Sequence, residues 1–120
     1  MTITRTPGQS PILPGTVSAN GFTFTSGLVS ASALASAEAV AVDAQIAETL
    51  AQLVQVLADA GTTPDRVVRI DAYLASAADL PAWNEGFLGL WPTPGPARTT
   101  LVVGFANPAV LFELNAIAAL

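Results

Sequence analysis

The chain has 120 residues, 52% of them apolar and 11% charged, with nine carboxylates against four arginines, no lysine and a net charge of −5. Four scattered arginines offer phosphates no basic track, so nucleic acid is not an expected partner. Cysteine and histidine are both absent, which removes disulfides, thiolate nucleophiles, imidazole acid–base work and nearly all transition-metal sites.

The length fits one domain over residues 1–120. A domain this small leaves much of its surface in water, so its excess of Ala, Val and Leu predicts that a second copy covers part of it. The N-terminus lacks the apolar run of a signal peptide and no 18-residue apolar span occurs. A soluble, cytoplasmic homo-oligomer with no membrane contact is expected.

Residues 5–15 hold three prolines and two glycines and read as an irregular lead-in. Asn20-Gly21 then separates two β-forming runs, 16–19 and 22–26, as a hairpin turn would. Residues 28–37 are small and weakly patterned and read as a loop. From Glu38 to Ala60, Val42, Ile46, Leu50, Leu53 and Leu57 form one helical stripe. Gly61 is its C-terminal stop, and Glu38, Asp43, Glu48 and Asp59 form a solvated face. Val67–Leu74 alternates as a strand, with Val68, Ile70, Ala72 and Leu74 assigned to one face. Residues 79–91 read as a short helix with Asp79 as its cap and Pro81 in its first turn. Two strands, 99–105 and 110–118, complete an α+β layer with both helices on one face of the sheet. The opposite face, with no third layer to cover it, again calls for self-association.

Two charges stand alone. Leu101–Phe112 contains no ionisable side chain, Arg98 precedes that run, and Glu113 is the last ionisable side chain of the sequence. A charge on an apolar strand is costly unless paired or used. If the last two strands pair through their short connection, Arg98 lies near Asn115 and diagonal to Glu113. The bland alternatives are a solvated turn arginine and a carboxylate that merely pairs with it.

Phe24-Thr-Ser-Gly27, Ala60-Gly61 followed by 67–74, Asp79-Leu80 with Asn84, Pro96-Ala-Arg98, and Glu113-Leu-Asn-Ala-Ile-Ala118 cover nearly the whole chain. In this combination the sequence resembles the Rid family of enamine and imine deaminases. The resemblance implies a homotrimer of chorismate-mutase-like α+β subunits around a central barrel. It implies sites in the clefts between neighbours, and neither metal nor organic cofactor. By the same resemblance Arg98 binds the substrate carboxylate and Glu113 positions or activates water. Ser26 and Gly27 form the strand end at the site, and Asn84 is a helix amide near it. Two positions depart from the family pattern: Leu13 stands where a tyrosine lines the site, and Thr100 where a cysteine follows the arginine.

The expected activity is hydrolysis of a small enamine or 2-imino acid to ammonia and a 2-oxo acid. The arginine fork suits a carboxylate, and a carboxyl group raised towards neutrality suits proton transfer. A non-catalytic trimer binding a small carboxylate is the alternative, favoured by Leu13. An RNase is disfavoured, since the chain has little with which to hold phosphates or move protons. Trp83, Phe87 and Trp91 are expected in the core or at an interface.

Overall fold

The computed structural model describes residues 1–120. The strands are β1 (Thr4–Thr6), β2 (Thr16–Ala19), β3 (Phe22–Thr25), β4 (Leu28–Val29), β5 (Val67–Leu74), β6 (Ala97–Val102) and β7 (Phe112–Ala119). The helices are α1 (Ala31–Ala35), α2 (Val42–Asp59) and α3 (Leu80–Leu90). One mixed sheet runs β1-β2-β3-β7-β5-β6, with β4 also paired to β7. The fold is α+β, with α2 and α3 packed on one face of this sheet. No helix is long and apolar enough to cross a membrane.

Local chemistry explains most elements. Asn20 and Gly21 turn the β2–β3 hairpin with φ of 53° and 82°, the left-handed pair that a tight hairpin demands. Gly61, with φ of 87°, ends α2. The amides of Thr62 and Gly61 close back on Leu57 and Ala58 at 2.9 and 3.0 Å, a double C-terminal cap. Ile46, Leu50, Leu53 and Leu57 of α2 are buried against Ile70, Ala72, Leu74, Phe112, Leu114 and Ala116, with Trp83 and Phe87 of α3 completing the core.

The chain corrects several sequence expectations. Helix α2 begins at Val42, not Glu38, with Gln45 as an internal anchor of the turn before it. The buried Gln45 amide donates to the carbonyls of Val40 and Ala109, at 2.9 and 3.0 Å, and accepts from Leu111 N at 2.9 Å. Residues 28–37 are not a plain loop, since they form β4 and α1. Ser30 caps α1 by accepting from Ala33 N at 3.1 Å, and Gln52 and Glu48 accept from Ala31 N and Ser32 N. Those bonds to the carboxylate hold Glu48 below the ordinary range, so it is not simply a solvated residue. Asp79 makes no side-chain cap; Ser76 instead opens a 3-10 turn over Ala77–Asp79 that runs into α3. A bulge between Val67 and Arg69 turns Val68 out to solvent and Val67 into the core.

The largest correction concerns the last two strands, which do not pair. Strand β5 lies between them, parallel to β6 and antiparallel to β7. The β5–α3–β6 succession is a crossover unit, and parallel neighbours need such a connection. The return segment passes the end of β5, where Val103 N donates to Leu74 O and Ala75 N to Leu111 O.

The face of the sheet away from the helices carries Phe22 and Phe24, 42% and 44% exposed, and Leu101, 52% exposed. Cross-strand pairing puts Ile117 beside Phe24 on that face, and Tyr73 beside Leu101. Glu113, directly opposite Tyr73, completes a mixed apolar and polar surface with no layer of this chain over it.

Candidate functional site

The expected site residues fall into two groups. Arg98, Asn84 and Thr100 form the first. Arg98 lies on β6 in register with the buried Ile70, so its side chain stands on the helix side of the sheet. Its guanidinium carbon sits 4.8 Å from the centre of the Phe87 ring and 5.7 Å from that of Trp83. Its Nη2 donates to Asn84 Oδ1. The two rings thus serve both the core and the cation, whose charge their faces attract. Thr100 accepts from Trp83 Nε1 at 3.1 Å and so fixes the indole beneath the arginine. No carboxylate lies within salt-bridge distance of Arg98, the chain's single ion pair being Arg69–Asp71 at 3.0 Å. Arg98 and Thr100 open, with Leu74, Ala77, Leu80, Leu101 and Val102, onto a cleft of about 300 Å³.

Glu113, Gly27, Ser26 and Leu13 form the second group. β3 and β4 both run along β7, and the break between them falls at Ser26-Gly27. There the hydroxyl of Thr25 takes the Ala116 amide at 3.0 Å, in place of a backbone carbonyl. Glu113, opposite Val29, lays its carboxylate into the gap at Gly27: a Cβ on Gly27 would stand 2.4 Å from Oε2. The carboxylate has no hydrogen-bond partner within the chain, and burial pushes its pKa above the ordinary value.

Ser26 donates its hydroxyl proton to Pro14 O at 2.6 Å, so that proton serves to pin the lead-in. The pinned segment brings Leu13 to a second cleft, of about 260 Å³, which Pro14, Ser26, Gly27, Leu28 and Val29 also line. Glu113 reaches Gly27 from the outer face of the sheet and does not itself line this cleft.

The two groups do not meet within one chain. Arg98 shares the face of Ile70, whereas Glu113 shares that of Tyr73, and these residues of β5 point to opposite sides. With β5 between them, the two positions are separated by roughly 10 Å across the sheet and 10 Å along it. The expected diagonal contact is therefore absent. No three carboxylates converge as a metal cage would require. Tyr73 and Asn115, both beside Glu113, were not singled out from sequence. Their signal was the alternation of β5 and β7, which marks odd positions as outward once the bulge is known.

A mixed β-sheet backed by two helices, with a lone arginine over aromatic rings and a desolvated carboxyl at a strand break, defines a small α+β class of protein. The family model described as Endoribonuclease L-PSP matches residues 11–120, and the chain belongs to that family, the YjgF/Rid group. The mitochondrial protein mmf1 of Schizosaccharomyces pombe is 29% identical over 96% of this chain and 76% of its own length. Among solved structures, a YjgF-family member from Neisseria meningitidis is 28% identical, covers 99% of this chain and 95% of its own, and superimposes with a TM-score of 0.84. A YjgF/YER057c/UK114-family member from Mycobacterium tuberculosis shares the fold at a TM-score of 0.86 and 18% identity, over 99% of this chain and all of its own.

Proposed function

We propose that the protein is a cofactor-free deaminase that hydrolyses small enamines and 2-imino acids in a cleft shared by two copies of a homotrimer. One observation carries this reading: Arg98 is a half-buried, aromatically seated guanidinium with a single side-chain acceptor and no carboxylate of its own. Such a cation is matched to a small organic anion. The uncovered sheet face, with Phe22, Phe24 and Leu101, supports assembly of copies through it. A closed ring would bring the Glu113 group of one copy to the Arg98 group of the next.

The chemistry then runs as follows. An enamine tautomerises to the imine, whose carboxylate is held by Arg98. Water attacks the C=N carbon as Glu113 removes one of its protons, giving a carbinolamine. That proton passes to nitrogen; Glu113 then takes the carbinolamine's hydroxyl proton and delivers it to the amino nitrogen as the C–N bond breaks, and ammonia and the 2-oxo acid leave. The desolvation of Glu113 suits a group that must both take and return a proton. General acid–base catalysis of this kind contributes roughly 10²–10⁴-fold. Leu74, Leu80 and Val102 in the cleft at Arg98 favour an uncharged substrate side chain.

The test is ammonia release from freshly generated 2-imino acids by the wild type and Arg98→Ala. A loss in kcat/KM of roughly a hundredfold is expected from removing the anion's partner. Equal rates would overturn the reading. Because an aliphatic Leu13 supplies no hydroxyl, tight carboxylate binding without turnover would instead select the non-catalytic alternative. RNA cleavage, which the family description names, has little support here. The four arginines are dispersed over the lead-in, the turn before β5, β5 itself and β6, and form no phosphate track.

A further inference from the structure

Tyr73 is the chain's sole tyrosine, and β5 places it directly opposite Glu113 on β7. Directly opposed residues share a face with their Cβ atoms about 4.5–5.5 Å apart. Gly27 bounds the carboxylate on the β4 side, and Tyr73 holds the neighbouring position on the β5 side. Asn115 Nδ2 donates to the Tyr73 hydroxyl at 3.3 Å. That bond uses the oxygen as acceptor, and the hydroxyl proton has no partner in the chain. No hydrogen bond joins the hydroxyl to the carboxylate, so a link between the two runs through water.

We infer that Tyr73 is a positioning residue for Glu113: its ring walls the carboxyl from solvent, and its Asn115-held hydroxyl donates to the water that the carboxyl binds. This deepens the proposed reaction and rests on Glu113 being the group that handles water. The phenol orients that water and ties its hydrogen-bonding to the carboxylate's charge state. The other charged groups on this face are Arg69 and Asp71 of β5, which pair with each other, and Arg5 of β1, in register through Val17 and Phe24 with Ile117. Segment 26–27, β4, the outward residues Thr99 and Leu101 of β6, and Phe22 and Phe24 of β3 add no charge. Arg98 of a neighbouring copy is common to every variant below.

Ring and hydroxyl act on the carboxyl with opposite sign. The hydroxyl, acting through water, favours the carboxylate, so Tyr73→Phe raises the Glu113 titration midpoint. The ring excludes solvent, so Tyr73→Ala admits water and lowers it. The experiment is a pH titration of the full-length protein carrying carboxyl-¹³C glutamate, followed by NMR, with the Glu113 signal assigned by its loss in Glu113→Gln. Opposite shifts for the two variants are expected, with kcat for imine hydrolysis reduced in Tyr73→Phe. An unchanged midpoint in Tyr73→Phe, or shifts of the same sign, overturns the inference. If Tyr73→Ala does not fold, the near-isosteric Tyr73→Phe decides by its own shift. Opposite shifts in a protein that hydrolyses no imine would retire the reaction and keep the role of Tyr73; hydrolysis with an unmoved midpoint would do the reverse.

Discussion

Arg98 and Glu113 project from opposite faces of one sheet with strand β5 between them. No rotamer change bridges that separation, so a site using both requires two copies. Arg98→Ala and Glu113→Gln should each lose imine hydrolysis when prepared alone. Unfolded together in equal amounts and refolded, they should recover about a quarter of the wild-type activity, since random mixing makes about one cleft in four from two intact halves. Ammonia release by the mixture is the measurement, and a site contained in one chain would recover none.

Gly27 leaves the space into which Glu113 lays its carboxylate. A methyl group there meets the mobile end of a side chain rather than backbone, so stability changes by less than about 0.5 kcal/mol. The carboxylate, however, must move. Gly27→Ala should lower kcat by roughly tenfold to a hundredfold while leaving KM nearly unchanged, because Arg98 lies in the other half-site. Steady-state kinetics beside a thermal melt separate the two effects.

The Glu113 carboxyl, raised by burial above its ordinary 4.5, binds a proton more tightly folded than unfolded. Between 4.5 and the raised value the native state holds more protons, so this group's contribution to stability falls as pH rises through that window. Glu113→Gln removes the cost of a desolvated charge. Its melting temperature should exceed that of the wild type at neutral pH, and the difference should shrink below pH 4.5. A constant difference across that range would contradict the assignment.

Gln45 ties α2 to the segment before β7 through two bonds, to Ala109 O and from Leu111 N, and to the turn before the helix through a third, to Val40 O. Gln45→Leu keeps the volume but strands the Leu111 amide and two carbonyls. A loss of about 2–4 kcal/mol is expected from these unpaired buried groups, read from denaturant unfolding. The effect should reach Glu113, two residues past Leu111, as a reduced kcat even where the variant remains folded.

The sequence by itself determined what local chemistry can specify. Asn20-Gly21 wrote its turn, the spacing from Val42 to Leu57 wrote a helix face, Gly61 wrote its end, and the isolation of Arg98 and Glu113 singled them out. Each depends on backbone preference or on periodicity along a short stretch. The strand–helix–strand order over 67–102 also carried the parallel β5–β6 pairing, a legible signal that the short link between β6 and β7 obscured. Only the tertiary structure decided the rest. A strand's neighbour depends on which edges the crossovers leave free, and a single bulged residue reverses the facing of everything beyond it. The bulge at Val67/Arg69, the capping of α1 by Glu48 and Gln52, and the placing of Tyr73 beside Glu113 all join residues distant in the chain or alter register within it. Alternation marks the facing of residues along one strand, but no local pattern encodes which strands lie side by side or in what register.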